Sequence, residues 1–256
     1  MSLDSKNIVL SVVVVTFNAI VDIQKSLTSL KKLGLNSKVE LIFIDGGSTD
    51  GTKEFITELN MADVLKSEPD HGIYDAMNKG VQNCSGEWVY FLNAGDKLVV
   101  SVDSIIDHLQ RLEDDKLICF GDTNVVNETS EKLVKHSIEN KASFYFSMPL
   151  CHQSMFYRKN ILMEKPFDLR YKIIADKVQL YDLYTSFKGF ANYFPVTIST
   201  YYLGGFSEKN RSVLHYEEAA FYINARKLSV LWLKPIKLYL DVKSTLYKIL
   251  VRVVGY

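Results

Sequence analysis

The sequence contains little cysteine and no paired metal-binding or redox motif. Its three cysteines, Cys84, Cys119 and Cys151, are far apart, and none of them belongs to a Cys-x-x-Cys pair. This pattern argues against a disulfide framework and against a zinc knuckle, and it fits a reducing cytoplasm.

Excess charge of one sign and long apolar segments are also missing. The chain of 256 residues has 30 Lys or Arg and 30 Asp or Glu, so its overall charge gives no indication of a nucleic-acid partner. The apolar run from Ile8 to Val15 is shorter than the ~20 residues needed to span a bilayer. The N-terminal residues show no secretory pattern. We therefore expect a cytoplasmic protein that does not bind nucleic acid.

The glycine-rich signatures of common nucleotide-binding folds are absent as well. No Gly-x-Gly-x-x-Gly follows the first apolar run, and no Gly-x-x-x-x-Gly-Lys-Ser/Thr occurs. A dinucleotide dehydrogenase and a P-loop enzyme are therefore disfavoured. A nucleotidyltransferase would need a glycine-rich basic loop after the first strand, and Thr16-Phe17-Asn18-Ala19 does not supply one.

Apolar runs at regular intervals predict a parallel sheet in the first hundred residues. The runs 8–15, 41–44 and 88–92 have almost no polar interruption, which is typical of strands buried on both faces. Apolar residues at helical spacing lie between these runs. We therefore expect right-handed βαβ units and an α/β, Rossmann-like, mostly parallel sheet flanked by helices.

Beyond residue 100 the pattern predicts a smaller, partly antiparallel portion. Strands are expected at 117–120, near 125, at 133–134 and at 191–202. Helices are expected at 103–112, 176–187 and 213–227, with a flexible polar loop at 203–207.

Polar residues follow three of the predicted strands. Thr16 and Asn18 end the first, Asp45 ends the second, and Asp96 follows the run 88–92. The carboxyl ends of parallel strands meet at one edge of a sheet, where open α/β folds bind ligands. Each residue alone could equally be a solvated turn residue or a helix cap. Their recurrence favours a nucleotide site, with Asp96 on a divalent cation.

Three motifs in order carry a family resemblance. They are Val15-Thr16-Phe17-Asn18, Asp45-Gly46-Gly47-Ser48-Thr49-Asp50-Gly51-Thr52, and Ser85 to Asp96 ending in Asn93-Ala94-Gly95-Asp96. The set resembles the family 2 glycosyltransferases with a GT-A fold. Further segments resemble the colanic-acid and O-antigen branch of bacterial exopolysaccharide enzymes: Glu68 to Gly80, Pro149 to Gln153, and Gly204 to Ser207.

The resemblance implies an inverting transfer of a sugar from a nucleotide-diphosphate donor to an acceptor hydroxyl, and the expected acceptor is a lipid-linked saccharide in bacterial surface polysaccharide synthesis. It implies Mg²⁺ or Mn²⁺ as cofactor, with Asp96 as metal ligand. Relatives often have Asp-x-Asp-Asp where this chain has Asn93 to Asp96, so a single carboxylate remains. A non-catalytic nucleotide-sugar-binding subunit of a polysaccharide assembly complex is the alternative.

Site residues follow from the resemblance by position. Asp176 is the expected catalytic base, with an N-cap carboxylate as the alternative. His152 and Gln153 are expected on the acceptor or sugar side, although a buried histidine is the alternative for the first. The donor-binding residues are Thr16, Phe17, Asn18, Asp45, Gly46, Asp75, Asn78, Asn93, Ala94 and Gly95. Ser207, Arg211 and His215 are expected to form a lid over the diphosphate.

The resemblance covers about residues 8 to 215. We expect a GT-A domain at 1–215, with a nucleotide-binding half at 1–100 and an acceptor and catalytic half at 101–215. Residues 216–256 form a predicted helical, basic and amphipathic extension. This extension suits peripheral contact with an anionic membrane at its cytoplasmic face. Packing on the domain and a homodimer contact are the alternatives.

Overall fold

The computed structural model describes residues 7–32, 34–141, 143–146, 148–228, 231 and 234–242. The first half alternates strands and helices: β1 Leu10–Thr16, α1 Ile20–Lys32, β2 Val39–Asp45, α2 Thr52–Leu59, β3 Val64–Ser67, α3 Ile73–Gln82 and β4 Trp88–Asn93. Every strand and helix predicted there from the apolar runs is present, with ends shifted by one or two residues.

The second half is more irregular. It contains β5 Lys97–Leu98, α4 Val102–Leu109, β6 Ile118–Val126, β7 Glu131–Val134, α5 Ser143–Phe146, a 3-10 turn His152–Ser154, β8 Met155–Arg158, α6 Lys159–Glu164, α7 Ala175–Ser186, β9 Ala191–Tyr202, α8 Phe206–Lys209 and α9 Arg211–Arg226. Residues 234–242 are also helical.

The strands of the described residues form one mixed sheet of nine strands. Its order is β3-β2-β1-β4-β8-β6-β9-β5, and β7 pairs with β6. β3, β2, β1 and β4 are parallel neighbours, and β6 is parallel to β9. The pairs of β8 with β4 and β6 are antiparallel, as are those of β5 with β9 and of β7 with β6. The predicted α/β fold with a smaller antiparallel part is confirmed.

The sheet is covered on both faces, which explains its apolar strands. In β1, Val13 and Val15 pack into one core with Met77 of α3, while Val12 and Val14 pack into the opposite core. Helices α1, α2 and α4 cover the second face. Because successive side chains alternate between faces, a strand between two helical layers must be apolar at nearly every position.

Several predictions for the second half need correction. The strands expected at 117–120 and near 125 are one strand, β6, whose pairing with β9 shifts register between Phe120 and Asp122. Helix α4 ends at Leu109 rather than at residue 112. The helix expected at 176–187 ends at Ser186. Phe187 is the residue after the helix and is 37% exposed. The loop expected at 203–207 runs into α8, a single helical turn.

The predicted domain boundary at residue 215 falls inside α9. This helix runs on to Arg226, and its later half is anchored in the body by buried Glu217 and Phe221. Residues 243–256 of the predicted extension lie outside the described residues. No helix in the described ranges is long and apolar enough to cross a bilayer.

Candidate active site

Asp45 organises the ends of three adjacent strands. Its Oδ1 accepts a hydrogen bond of 3.2 Å from Thr16 Oγ1, and its Oδ2 accepts one of 2.7 Å from Ser67 Oγ. The backbone N–H groups of Gly47 and Ser48 also donate to Oδ2, at 3.2 and 2.9 Å. The carboxylate is fully buried. Burial alone would raise its pKa, but the Ser48, Ser67 and Thr16 hydrogen bonds outweigh burial and hold the pKa below its ordinary value.

The loop after β1 is fastened to the loop after β2. Asn18, in the left-handed region with φ of 47°, donates its N–H to Ser48 Oγ and accepts the N–H of Thr49 at Oδ1, at 2.8 and 2.9 Å. Between these loops Phe17 is 63% exposed. The predicted nucleotide residues at the first two strand ends therefore lie together, with an aromatic face open to solvent.

Gly46 has no room for a side chain. A Cβ at this position would lie 2.5 Å from Asp70 Oδ2 and 3.3 Å from Phe17 Cδ2. The absence of a side chain lets Asp70, from the loop before α3, approach the end of β2. The contact of Asp70 with Gly46 depends on the pairing of β2 with β3.

Asp96 is a buried carboxylate that forms no ion pair with a basic side chain of the described residues. It is 6% exposed, and its Oδ1 accepts the Tyr202 N–H at 3.3 Å. Burial raises the pKa of Asp96 to about 7, the negative charge of Asp22 adds to the rise, and hydrogen bonds from Tyr202 and the Gln153 side chain oppose it. A nearby cation would favour the ionised form of such a buried carboxylate.

The turn before Asp96 is held by helix α1. Ser26 Oγ accepts the Gly95 N–H at 2.8 Å and lies 3.4 Å from the carbonyl oxygen of Asn93. Gly95 has φ of 103°, which favours glycine, and an acid there would sit against Asp22. Ala94 packs against the α1 side of the sheet. The oxygen Oδ1 of Asn93 is buried and has no protein partner.

Asp176 lies in the first turn of α7 and not at its N-cap, which is Ile174. Its Oδ1 accepts a hydrogen bond of 2.9 Å from the Tyr74 hydroxyl and one of 2.8 Å from the Lys177 N–H. The N-cap alternative is therefore wrong. Tyr74 was not predicted, because it is 102 residues away in sequence and reaches Asp176 only when α3 packs beside α7.

A second carboxylate holds the chain leading into α7. Buried Glu217 of α9 accepts the N–H groups of Lys172, Ile173 and Ile174 at 2.7, 2.9 and 3.3 Å. The backbone before Asp176 is thereby fixed to α9. Glu217 has no sequence signal beyond an acidic residue on an amphipathic helix, so its role could not be predicted.

Segment 151–153 interacts electrostatically with Asp96 and Asp176. Gln153 Oε1 accepts from the Cys151 thiol at 3.1 Å, and the Gln153 side chain lowers the pKa of Asp96. Burial raises the pKa of Cys151 to about 11, and the negative charges of Asp96 and Asp176 both contribute to the rise. Asp96 and Asp176 therefore act electrostatically on the same thiol, although 80 residues separate them in the sequence.

His152 lies in the core beneath the site. Its ring stacks on Phe91 with centroids 5.3 Å apart, and Nδ1 lies 3.1 Å from the Tyr157 hydroxyl. Burial lowers its pKa, and the charge of Asp176 opposes this. The buried-histidine alternative describes this ring, except that its Nε2 is buried without a partner. Gln153, by contrast, is only partly buried beside Asp96.

Asp75 and Asn78, predicted to line the donor pocket, make local structural contacts. Asp75 accepts the His71 N–H at 3.0 Å, which ties the first turn of α3 to the loop before it. The Asn78 side chain donates to the Phe167 carbonyl at 2.9 Å and accepts the Phe167 N–H at 3.0 Å. Through these two hydrogen bonds Asn78 joins α3 to the loop before α7.

The predicted lid residues are not all in one place. The hydroxyl of Ser207 lies close enough to Tyr201 to lower the pKa of that phenol, which burial raises to about 12. Arg211 begins α9 and is partly buried. His215 is buried, and its Nδ1 lies 2.6 Å from Asp241 Oδ1 of the helix 234–242. The structure thus places His215 in the contact with the C-terminal helix.

The oxygen atoms of the Asn93–Asp96 turn fit a hard divalent cation. Asp96 offers a buried carboxylate, and Asn93 offers an unpartnered oxygen in the same turn. No three His, Cys, Asp or Glu side chains of the described ranges are grouped to hold a metal by themselves. The phosphates of a bound donor and water could complete the coordination of such a cation.

A cavity of about 400 Å³ lies elsewhere, between α7 and α9. Its walls include Tyr171, Tyr181 and Phe221, and none of the predicted donor residues. Asp176 is not among its lining residues, and we do not assign the cavity to the site.

Solved structures with a similar fold include one with bound UDP and one with a bound nucleotide sugar. The structure of TarS from S. aureus in complex with UDP matches with a TM-score of 0.63 at 16% identity, over 90% of this chain and 70% of TarS. The mannosyltransferase PcManGT from Pyrobaculum calidifontis, in complex with GDP-Man and Mn²⁺, matches with a TM-score of 0.61 at 14% identity, over 91% and 68%. The fold is GT-A.

The sequence comparisons identify the family. The profile of Glycosyl transferase family 2 matches residues 11–178, and the chain belongs to this family and is a glycosyltransferase. The PGL/p-HBAD biosynthesis glycosyltransferase of Mycobacterium bovis (strain BCG / Pasteur 1173P2) is 29% identical over 173 residues, 65% of this chain. The match spans 66% of that relative, slightly less than two thirds of its length.

Proposed function

We propose that this glycosyltransferase moves a sugar from a nucleotide-diphosphate donor to a hydroxyl of a lipid-linked saccharide, with inversion at the anomeric carbon. The setting would be bacterial surface polysaccharide synthesis at the cytoplasmic face of the membrane. The proposal is supported by the position of Asp96 just after β4, at the carboxyl edge of the parallel strands, and by the charges of both Asp96 and Asp176 raising the pKa of Cys151. One carboxylate is available for the donor and the other for the acceptor.

The donor half of the site would be the strand ends of β1, β2 and β4. The exposed ring of Phe17 can stack on a base, and the Asn18–Ser48 loop contact fixes the backbone around it. Asp96, with Asn93 beside it, would hold a Mg²⁺ or Mn²⁺ ion. When bound, this ion would compensate the charge of the diphosphate. Ser207 and Arg211 lie in the segment that follows β9, where they can approach the phosphates.

The acceptor half would use Asp176 as general base. As the acceptor oxygen attacks the anomeric carbon, its proton passes to the Asp176 carboxylate, and the bond from that carbon to the nucleoside diphosphate breaks on the opposite side. Tyr74 holds Oδ1 in place by its hydrogen bond, and Oδ2 has no hydrogen bond recorded and is available to receive the proton. A single base is sufficient for this single displacement.

The test is a panel of UDP-, GDP- and dTDP-sugars with Mn²⁺, with thermal shift and nucleoside diphosphate release as readouts. A donor at 100 times its dissociation constant should add about 2.7 kcal/mol of stability. Asp176→Asn should reduce transfer by roughly 100-fold or more while leaving the donor shift unchanged. The matched control is Asp182→Asn, an exposed acid on the same helix, which should retain transfer.

The outcomes separate the enzyme from the alternative, a non-catalytic nucleotide-sugar-binding subunit. A wild type that binds a donor but never releases nucleoside diphosphate with any acceptor would support the binding subunit. Full transfer by Asp176→Asn would remove Asp176 from the reaction.

A further inference from the structure

The helix 234–242 exposes an apolar face. Pro235, Leu238, Tyr239 and Val242 are all exposed, the last three by 64%, 57% and 49%. Their spacing of i, i+3, i+4 and i+7 places them on one side of the helix. Leu231, just before the helix, is 83% exposed. A helical face with this much apolar surface indicates a contact with something outside the described residues.

The opposite face fixes the helix to the body. Asp241 binds buried His215 of α9 at 2.6 Å, and Lys237 binds the other Asp241 oxygen at 2.7 Å. These contacts hold the pKa of Asp241 below its ordinary value, with the Lys237 hydrogen bond as the largest cause. Pro235, Ile236, Tyr239 and Leu240 line a cavity of about 270 Å³ against α5 and α9, so Pro235 and Tyr239 lie at the edge of the exposed face nearest the body. Turning the apolar face inward would break the Asp241 contacts.

The sequence that carries the apolar face is basic. From residue 227 onward the sequence has six basic residues and one acid, Asp241, in a chain with zero net charge. Because Asp241 is directed at His215, the helix has no other acid to offset exposed Lys234. A second copy of this chain would bring a second basic surface to the first. Anionic lipid headgroups are complementary to it, and each basic residue near such a surface contributes roughly 1 kcal/mol to binding.

We propose that the apolar face of the helix 234–242 docks on the surface of an anionic membrane. Leu238, Tyr239 and Val242 enter the boundary between headgroups and acyl chains, and Lys234 contacts the headgroups. The docked helix holds α9 through His215, and α9 in turn holds the backbone before Asp176 through Glu217. This inference rests on the proposed function and deepens it, because a lipid-linked acceptor would be found at the membrane surface on which the helix docks.

The experiment measures co-sedimentation of the full chain with vesicles, without donor or acceptor, so its result is independent of the proposed reaction. Vesicles of phosphatidylcholine are compared with vesicles that also contain phosphatidylglycerol. We expect binding only to the anionic vesicles, weakened by salt, and a loss of about tenfold in Leu238→Glu. The matched control is Met163→Glu on α6, where Met163 is 52% exposed and should bind like the wild type.

Three results would overturn the proposal. The first is a wild type that binds neither kind of vesicle. The second is equal binding by Leu238→Glu and the wild type. The third is a wild-type dimer in analytical ultracentrifugation that Leu238→Glu converts to a monomer, because the apolar face would then be covered by a second copy. The circular dichroism spectrum of Leu238→Glu is compared with that of the wild type to check that the variant is folded.

Discussion

Replacing Asp96 by asparagine should stabilise the protein when donor and metal are absent, and only above acidic pH. Asp96 is 6% exposed, and burial raises its carboxyl pKa to about 7 from an ordinary 3.8. Asparagine keeps an acceptor for the Tyr202 N–H and removes the buried charge. The side chain that serves the proposed metal is therefore expected to destabilise the empty fold.

The sign and size follow from proton linkage. Below about pH 4 the Asp96 carboxyl is protonated in folded and unfolded chains alike, and it makes no difference. Between about pH 4 and about pH 7 the folded chain keeps a proton that the unfolded chain releases, so wild-type stability falls as pH rises. Above about pH 7 the ionised Asp96 lowers the free energy of unfolding by its full amount. This amount is at most roughly 4 kcal/mol, because the pKa rises by about 3 and each unit corresponds to 1.36 kcal/mol.

Urea unfolding of wild type and Asp96→Asn over this pH range measures the effect. The difference in free energy of unfolding between the two proteins should be near zero at about pH 4 and grow to several kcal/mol at about pH 8. Asp107→Asn, an exposed position on α4, is the control and should show no such growth. A difference that does not depend on pH, or a variant less stable than the wild type above pH 7, would refute the reasoning.

Three further predictions concern the packing and the chemistry of the site. Gly80→Ala should destabilise the fold by about 1–3 kcal/mol in urea unfolding, because a Cβ would lie 2.4 Å from Val13 Cγ1 where α3 crosses β1. Tyr74→Phe should lower kcat about tenfold with unchanged donor affinity, since a hydrogen bond to the charged Asp176 contributes roughly 1.5–3 kcal/mol; an unchanged kcat would contradict this. Chelation with EDTA should abolish the thermal shift produced by a nucleotide-sugar donor while leaving the ligand-free melting temperature unchanged, since the described residues hold no complete metal site.

The parallel half of the fold was predictable because it is coded by local pattern. β1, β2 and β4 are buried on both faces, so each appears in the sequence as an apolar run. β8 was missed, although it lies in the middle of the sheet between β4 and β6. Its four residues, Met155 to Arg158, are all buried but too few to show a period, and they end in a charged residue.

In the candidate site, too, the residues that local sequence pattern indicates differ from those that depend on packing between distant elements. Thr16, Asp45 and Asp96 could be predicted because each follows a predicted strand, and the register pairs Thr16 with Asp45. Tyr74 and Glu217 could not, because their partners are more than 40 residues away and depend on how α3, α7 and α9 pack. His215 is expected in the lid because it follows the glycine pair in the sequence. The sequence does not indicate its contact with Asp241 of the helix 234–242.

The hydrogen bonds that join the loops after β1 and β2 have a thermodynamic consequence. Asp45, Asn18 and Ser48 are already bonded in the ligand-free chain, so the base and ribose would meet loops whose conformational entropy was lost during folding. Calorimetry should therefore show that a nucleoside binds with little ordering entropy.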